Sequence, residues 1–354
     1  MRVSILGTGG IGLACAAWLA HGGHEVTVWS PGGQGAQALR EAPLASTGIL
    51  EAQVRVRVAE SAQAAAQAGE VLLLAVPLNG HKAVMDALLP HLRDGQTVIV
   101  SSMGSLSSLY LYEAAQRAGR DITVAALGTT VLTARRAGPA EVRIMMRRAA
   151  LGVSVLPQTR QNQALALCSA LFGEVFSTHE NMLATTLTNT NPVAHVPLAL
   201  FNWTRIERAE PWPQYHYMTP QVSAVIKRLD AERLALARAF GLAVRSIEQH
   251  FAQSFGTTAP SLAQIAAELH AKRGGPPGPT DTHTRYLSED VPFGLAFCAA
   301  LGPLAGVDMP ATQTLVATAS LIAGLDFKAL NDLIAPLDIE QCASAQNLLA
   351  RVRG

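Results

Sequence analysis

Two hydrophobic periods alternate along the first 125 residues. Short apolar runs at 2–6, 25–29, 71–76, 97–100 and 122–126 read as strands buried on both faces. Between them, 60–67, 80–92 and 106–118 have helical spacing, and Ile11, Leu13, Ala14, Ala17, Trp18 and Leu19 predict an amphipathic helix. Strand and helix in strict alternation predict an α/β fold with a doubly wound, mostly parallel sheet. Residues 54–58 alternate apolar and basic and read as an edge strand. Residues 142–146 and 152–156 have no long helix between them and read as an antiparallel extension of the sheet. A helix at 159–171 and a short strand at 175–177 close a first domain, 1–180. The pattern then turns helical, and 181–354 is read as an all-helical second domain.

The first strand runs into Gly7-Thr8-Gly9-Gly10-Ile11-Gly12. Gly7, Gly9 and Gly12 stand at the spacing G-x-G-x-x-G, between a strand and a helix, with a second strand within about 30 residues. Gly7 suits a tight turn, Gly9 lets backbone approach a pyrophosphate, and Gly12 lets the helix sit close to the strand. The helix then points unpaired N–H groups at the phosphates. Gly7, Gly9, Gly10 and Gly12 are therefore candidate contacts of a dinucleotide. NAD sites place Asp or Glu after the second strand to bind the ribose 2′-hydroxyl. Here Ser30 stands near that place, without an acid, which favours NADP over NAD. No Arg follows until Arg40, so the usual basic clamp is missing. Pro77 and Asn79 follow the third strand, as neighbours of the cofactor or as an ordinary strand end.

Composition narrows the classes. Of 354 residues, 49% are hydrophobic and 15% charged, as expected of a well-cored globular chain. A net charge of +1 gives no reason to expect nucleic acid as a partner. Arg135-Arg136 and Arg147-Arg148 are short basic clusters, read as solvated surface. The four cysteines make no C-x-x-C pair, so neither a metal site nor a disulfide framework is expected, and a cytoplasmic setting fits. The glycine fingerprint interrupts any secretion signal, and no apolar run reaches membrane-spanning length, so no membrane partner is expected.

The helical half carries two further stretches. Asn191-Pro192 opens a helix in which Asn191, His195, Leu198 and Asn202 share a face, with Pro197 predicting a bend or break. His195 is either a satisfied core histidine or a catalytic one. Residues 220–240 form a strong helix, with Lys227, Arg228, Glu232 and Arg238 read as solvated surface. Residues 273–280 are rich in Gly and Pro and read as a mobile loop. Just after them, Arg285-Tyr286-Leu287-Ser288-Glu289-Asp290-Val291-Pro292-Phe293-Gly294 gathers Arg, acids and an aromatic.

Residues 191–197 (Asn-Pro-Val-Ala-His-Val-Pro) and 285–294 resemble the signatures of the octopine/nopaline (opine) dehydrogenase family. The helix end at 229–233 with Gly241 is similar too. So is the segment 127–136, with Leu127 where an acid is common and Arg135 where a smaller residue is common. The resemblance implies a Rossmann domain followed by an all-helical catalytic domain. It also implies reductive condensation of an amino acid with a 2-oxo acid such as pyruvate, using NAD(P)H, to an N-(carboxyalkyl) amino acid. By that resemblance His195 is catalytic, Asp290 is its partner, and Arg285 holds a substrate carboxylate. Asn191 and Asn202, on the His195 face, become candidate substrate contacts. The chemistry suits these side chains: an imidazole can donate a proton, a carboxylate can orient it, and a guanidinium grips a carboxylate by two parallel bonds. The alternatives are a ketopantoate-reductase-like or other 2-keto or hydroxy acid dehydrogenase, or a dinucleotide-binding protein without catalysis. A homodimer is compatible with the chain.

Overall fold

The structure, a computed structural model, describes residues 1–354, the Arg273 side chain excepted. It divides into two compact units, Met1–Thr186 with Leu349–Gly354, and Leu187–Leu348. The helical pattern of the sequence alone carries the second domain to residue 354. The last six residues instead return to the first unit, where Val352 is fully buried and Arg351 pairs with Glu113 at 2.7 and 2.8 Å.

The first unit runs β1 (Arg2–Leu6), α1 (Gly10–His21), β2 (Glu25–Trp29), β3 (Leu44–Gly48), β4 (Ala52–Val54), β5 (Arg57–Val58), α2 (Ala62–Ala68), β6 (Val71–Leu74), α3 (His81–Leu88), β7 (Thr97–Val100) and α4 (Ser107–Arg117). It continues through β8 (Thr123–Leu127), β9 (Leu132–Gly138), β10 (Glu141–Arg147), β11 (Leu151–Leu156), α5 (Gln161–Phe172) and β12 (Phe176–Thr178) to α6 (Met182–Leu187). Eight strands make the main sheet in the order β12-β11-β8-β7-β6-β1-β2-β5. Its neighbours are parallel except β11 against β8, and the register sets Ile5 beside both Val28 and Leu73. Sequence order runs outward from β1 in both directions, so the crevice at the carboxyl ends of β1 and β6 is the switch point where such sheets bind ligands.

Two strand expectations are corrected. Residues 142–146 leave the main sheet: β10 pairs with β9 and β3 in a second, four-stranded sheet, β4-β3-β10-β9. Val142 and Ile144 point inward and Glu141 and Arg143 outward, so β10 has one core face, and that face lies against α1. Residues 54–58 split between β4 in the second sheet and β5 at the edge of the first. Sheets on both sides also explain why α1 is not amphipathic. Cys15 and Ala16 are as buried as Leu13.

The second unit runs α7 (Asn191–Leu200), α8 (Trp203–Glu207), α9 (Pro220–Ala239), α10 (Ile247–Phe255), α11 (Leu262–Arg273) and α12 (Arg285–Ser288). A π-helical turn (Val291–Ala296) follows, then α13 (Phe297–Ala305), α14 (Pro310–Ala323) and α15 (Ala345–Arg351). Helix α9 is its axis. Buried Arg233 bonds Asp230 at 2.9 and 2.6 Å and the Arg245 carbonyl at 2.7 Å. The other Asp230 oxygen accepts from Ile247 N at 2.8 Å, fixing the start of α10. Glu232, expected on the solvated surface, instead accepts from Ala311 N, Thr312 N and Thr312 Oγ1 at 2.6–2.9 Å. It thereby satisfies free N–H groups at the start of α14 and meets the positive end of that helix. Pro197 does not break α7, which continues to Leu200. Residues 274–280, expected to be mobile, are tied down: Gln214 N donates to the Pro276 carbonyl, Gln214 Nε2 to that of Pro277, Gly278 N to that of Trp212, and Trp212 Nε1 to that of Pro279. Among the described residues no helix is long and apolar enough to cross a membrane.

Candidate active site

In the first unit the glycine turn separates packing from binding. Gly7 has φ +121°, and a Cβ there would lie 2.5 Å from the Ala75 carbonyl oxygen at the end of β6. A Cβ on Gly12 would lie 2.0 Å from the Gly7 carbonyl oxygen. Both glycines are demanded by the fold. Gly9 differs, because a Cβ there would meet nothing within 4 Å. It caps α1 without a side-chain hydrogen bond, so no capping side chain takes the first N–H groups of the helix. A strand, a turn stripped of Cβ atoms and uncapped helical N–H groups fit a dinucleotide pyrophosphate. Gly10 lies beside the second sheet, where a Cβ would come 3.0 Å from Arg136 N.

The expected neighbours fall around this turn. Ser30 follows β2, and Pro77 and Asn79 are exposed just past β6. The loop after β6 is held by buried His81, whose Nε2 lies 3.2 Å from the Val76 carbonyl and Nδ1 3.0 Å from Ser107 Oγ. Burial lowers the His81 pKa to about 4, so the ring is neutral, with Nε2–H donating and Nδ1 accepting. The loop after β7 carries three non-glycine residues in left-handed conformation, Ser102, Ser105 and Leu106. Such strain gathers at binding sites.

In the second unit two distant stretches meet. A Cβ on Gly294 would come 2.3 Å from Pro192 Cγ, so only glycine lets the π-helical turn approach the first turn of α7 this closely. That approach sets His195, one turn along α7, against Asp290, one turn before Gly294. His195 Nδ1 lies 2.8 Å from Asp290 Oδ2 across 95 residues of chain. The Asp290 side chain is 4% exposed and that of His195 18%. Asp290 therefore holds Nδ1, and Nε2 is the nitrogen left for a substrate. The His195 ring stacks on Tyr286, with centroids 3.9 Å apart and planes 1° from parallel. Burial pushes the Tyr286 phenol up to about 12, so it stays protonated and Gln214 Nε2 bonds its oxygen. A wide π turn frees backbone carbonyls, and buried Asn331 answers that of Pro292 at 2.8 Å.

Arg285 opens α12 and is exposed, with no ion pair among the described residues. Asn191 is half-buried one turn before His195; it is the first residue of α7 rather than its cap, which is Thr190. Asn202 is the residue not brought to the site. It is buried, and its Nδ2 donates to the Leu198 carbonyl at 2.9 Å, closing the end of α7. Tyr286, Gln214 and Gly294 were not singled out by sequence reasoning. Tyr286 and Gly294 sit inside the quoted motif, and helical spacing from Asp290 marks Tyr286; nothing local marks Gln214.

Residues 178–323 match the family described as NAD/NADP octopine/nopaline dehydrogenase, alpha-helical domain. An opine dehydrogenase of Arthrobacter sp. (strain 1C) is 27% identical over 338 residues, covering 92% of this chain and 91% of that protein. These matches align the helical part of the chain with the octopine/nopaline dehydrogenases. The solved octopine dehydrogenase with NADH and L-arginine superposes with a TM-score of 0.81 at 17% identity, covering 99% of this chain and 98% of that one. Yersinopine dehydrogenase with NADP+ bound gives 0.73 at 18%, covering 100% and 99%. Residues 3–156 match the ketopantoate reductases, but that match ends before His195. Together these matches support an NAD(P)-dependent oxidoreductase.

Proposed function

We propose that this protein is an opine dehydrogenase, which joins the amine of an amino acid to the carbonyl carbon of a 2-oxo acid and reduces the resulting imine to an N-(carboxyalkyl) amino acid. The observation that carries it is the His195–Asp290 pair with Nε2 left free. Addition of the amine to the carbonyl forms the C–N bond and a carbinolamine. Imidazolium Nε2–H donates its proton to the departing hydroxyl, which leaves as water. Asp290 holds the ring in one orientation and offsets the imidazolium charge, and Tyr286 fixes its plane by stacking. Arg285 binds a substrate carboxylate through its exposed fork, and Asn191 lines the same helix face. The cofactor, when bound at Gly7, Gly9, Gly10 and Gly12, supplies the hydride that the imine carbon accepts.

The test is a matrix of amino acids against 2-oxo acids, following NADPH and NADH oxidation. Oxidation that requires both substrates is expected. Oxidation with a 2-oxo acid alone overturns the proposal in favour of a keto-acid reductase, and tight cofactor binding with no turnover in any pairing favours a non-catalytic protein. NADPH is the preferred donor in this reading, on the strength of Ser30 and the missing acid. A reducing, cytoplasmic setting goes with four unpaired cysteines, of which burial pushes the Cys15 and Cys168 thiols up to about 12. A homodimer would cover Leu321, Ile322, Leu325 and Leu330, which are exposed; sedimentation at micromolar concentration tests it.

A further inference from the structure

We infer that Arg136 is the cation of the adenosine corner and selects a dinucleotide with a 2′-phosphate. The inference rests on the NADPH preference proposed above and names the residue responsible for it. Ser30 after β2 offers a hydroxyl but no charge. Arg40, the first basic residue after it, is neutralised by a two-pronged pair with Glu60, whose second contact is 2.8 Å. The fold brings in another guanidinium from β9. Arg136 Nη1 donates to the Thr8 carbonyl at 3.2 Å and Nη2 to that of Gly35 at 3.1 Å. Nε and Nη2 also reach the carbonyls of Gly138 and Pro139, at 3.0 and 2.6 Å.

Every one of these acceptors is neutral. Among the described residues Arg136 has no carboxylate within ion-pair distance, so its charge is uncompensated, and it is exposed. Of five guanidinium N–H groups these bonds take four, which leaves one for a ligand. The bonds also hold the fork still between the glycine turn and the loop after β2. Those two stretches converge: a Cβ on Gly35 would lie 2.2 Å from Thr8 Oγ1 and 2.9 Å from Ser30 Oγ. Two hydroxyls and a fixed cation therefore meet beside the end of β2, where a dinucleotide places its ribose. That set suits a phosphate dianion and gives a bare 2′-hydroxyl little advantage. Arg136 lies 128 residues from Thr8 in the chain, which is why sequence spacing showed no clamp.

Fluorescence titration of the full chain with NADPH and with NADH tests the inference. Arg136→Ala should weaken NADPH by about 10- to 100-fold, the scale of a charge-assisted contact, and NADH by less than about 3-fold. The salt dependence of NADPH binding should become shallower. Arg136→Lys keeps the charge without the fork and should recover part of the NADPH affinity; it also serves if the alanine variant does not fold. A brace with no role in selection would weaken both cofactors alike or neither, and an unchanged NADPH/NADH ratio in both variants overturns the inference. The preference itself is read separately, from the unsubstituted chain: tighter NADH binding there refutes the NADPH reading. Competition by 2′,5′-ADP against 5′-AMP then still reports whether Arg136 discriminates a 2′-phosphate.

Discussion

His195 gives one nitrogen to Asp290 and keeps the other free, so its two neighbours can be separated by experiment. His195→Ala should lower kcat by about 10²–10⁴, the usual worth of a positioned acid or base, while NADPH affinity stays nearly unchanged. Asp290→Asn should keep the fold yet lower kcat, because an amide cannot offset imidazolium charge; Arg285→Ala should act mainly on substrate KM. Near-normal turnover by His195→Ala would remove the dyad. The glycines give a second contrast. Gly9→Ala puts a methyl into open space at φ −71°, a conformation alanine adopts freely. It should melt like the parent and bind cofactor at least about ten times more weakly, because the Cβ stands where the pyrophosphate approaches. Gly12→Ala drives its methyl to 2.0 Å from a backbone oxygen and should cost about 1–3 kcal/mol of stability through overpacking. Thermal melts and cofactor titrations on the two variants check both halves. Equal melting temperatures for the two would show that the turn does not pack as described.

Elements carry what single residues cannot. His81 ties the loop after β6 to the first turn of α4, and burial disfavours charge on its ring. Its folded pKa of about 4 lies below the usual 6.5, so the unfolded chain takes up the proton first as pH falls. The stability this ring contributes is complete above about pH 6.5 and is lost progressively down to about pH 4. Between pH 7 and pH 5 the loss should be roughly 2 kcal/mol. Urea denaturation at the two pH values measures it, and His81→Gln should flatten the difference while lowering stability at pH 7. An unaltered slope in that variant would assign the acid sensitivity elsewhere. The alternating elements and the glycine turn were legible because their signals are local: an apolar period, a spacing, a breaker. The second sheet was not, because β3 reads Leu-Ala-Ser-Thr-Gly and β9 carries two exposed arginines, and neither has the apolar run of a buried strand. Glu232 looked like surface because the helix start that it satisfies lies 79 and 80 residues further on. The resemblance of two motifs pointed to His195 and Asp290, yet the Gly294–Pro192 contact that presses them together exists only in the folded chain.

At the scale of the whole molecule, the chain leaves its first unit after Thr186 and comes back at Leu349, so the helical unit is an insertion closed by six returning residues. The return is specific. Arg351 grips Glu113 on α4 with Nε and Nη2 at 2.7 and 2.8 Å, and Arg353 pairs with Glu180 at 3.0 Å. Gln158 N donates to the Arg353 carbonyl, Met182 N to that of Val352, and Val352 is wholly buried. Burial of one valine contributes about 1.5–3 kcal/mol, and the half-buried Arg351–Glu113 fork adds up to about 1 kcal/mol. Ending the chain after Leu348 should therefore destabilise the first unit by roughly 2–4 kcal/mol, whereas Arg351→Ala alone should cost about 1 kcal/mol. The location of the loss is as diagnostic as its size. Amide exchange should quicken in α4, around 156–158 and around 180–182, with α9 and its Asp230–Arg233 clip keeping their protection. A truncated chain that melts like the parent, or one whose lost protection lies in α9, would show that the returning residues do not close the first unit.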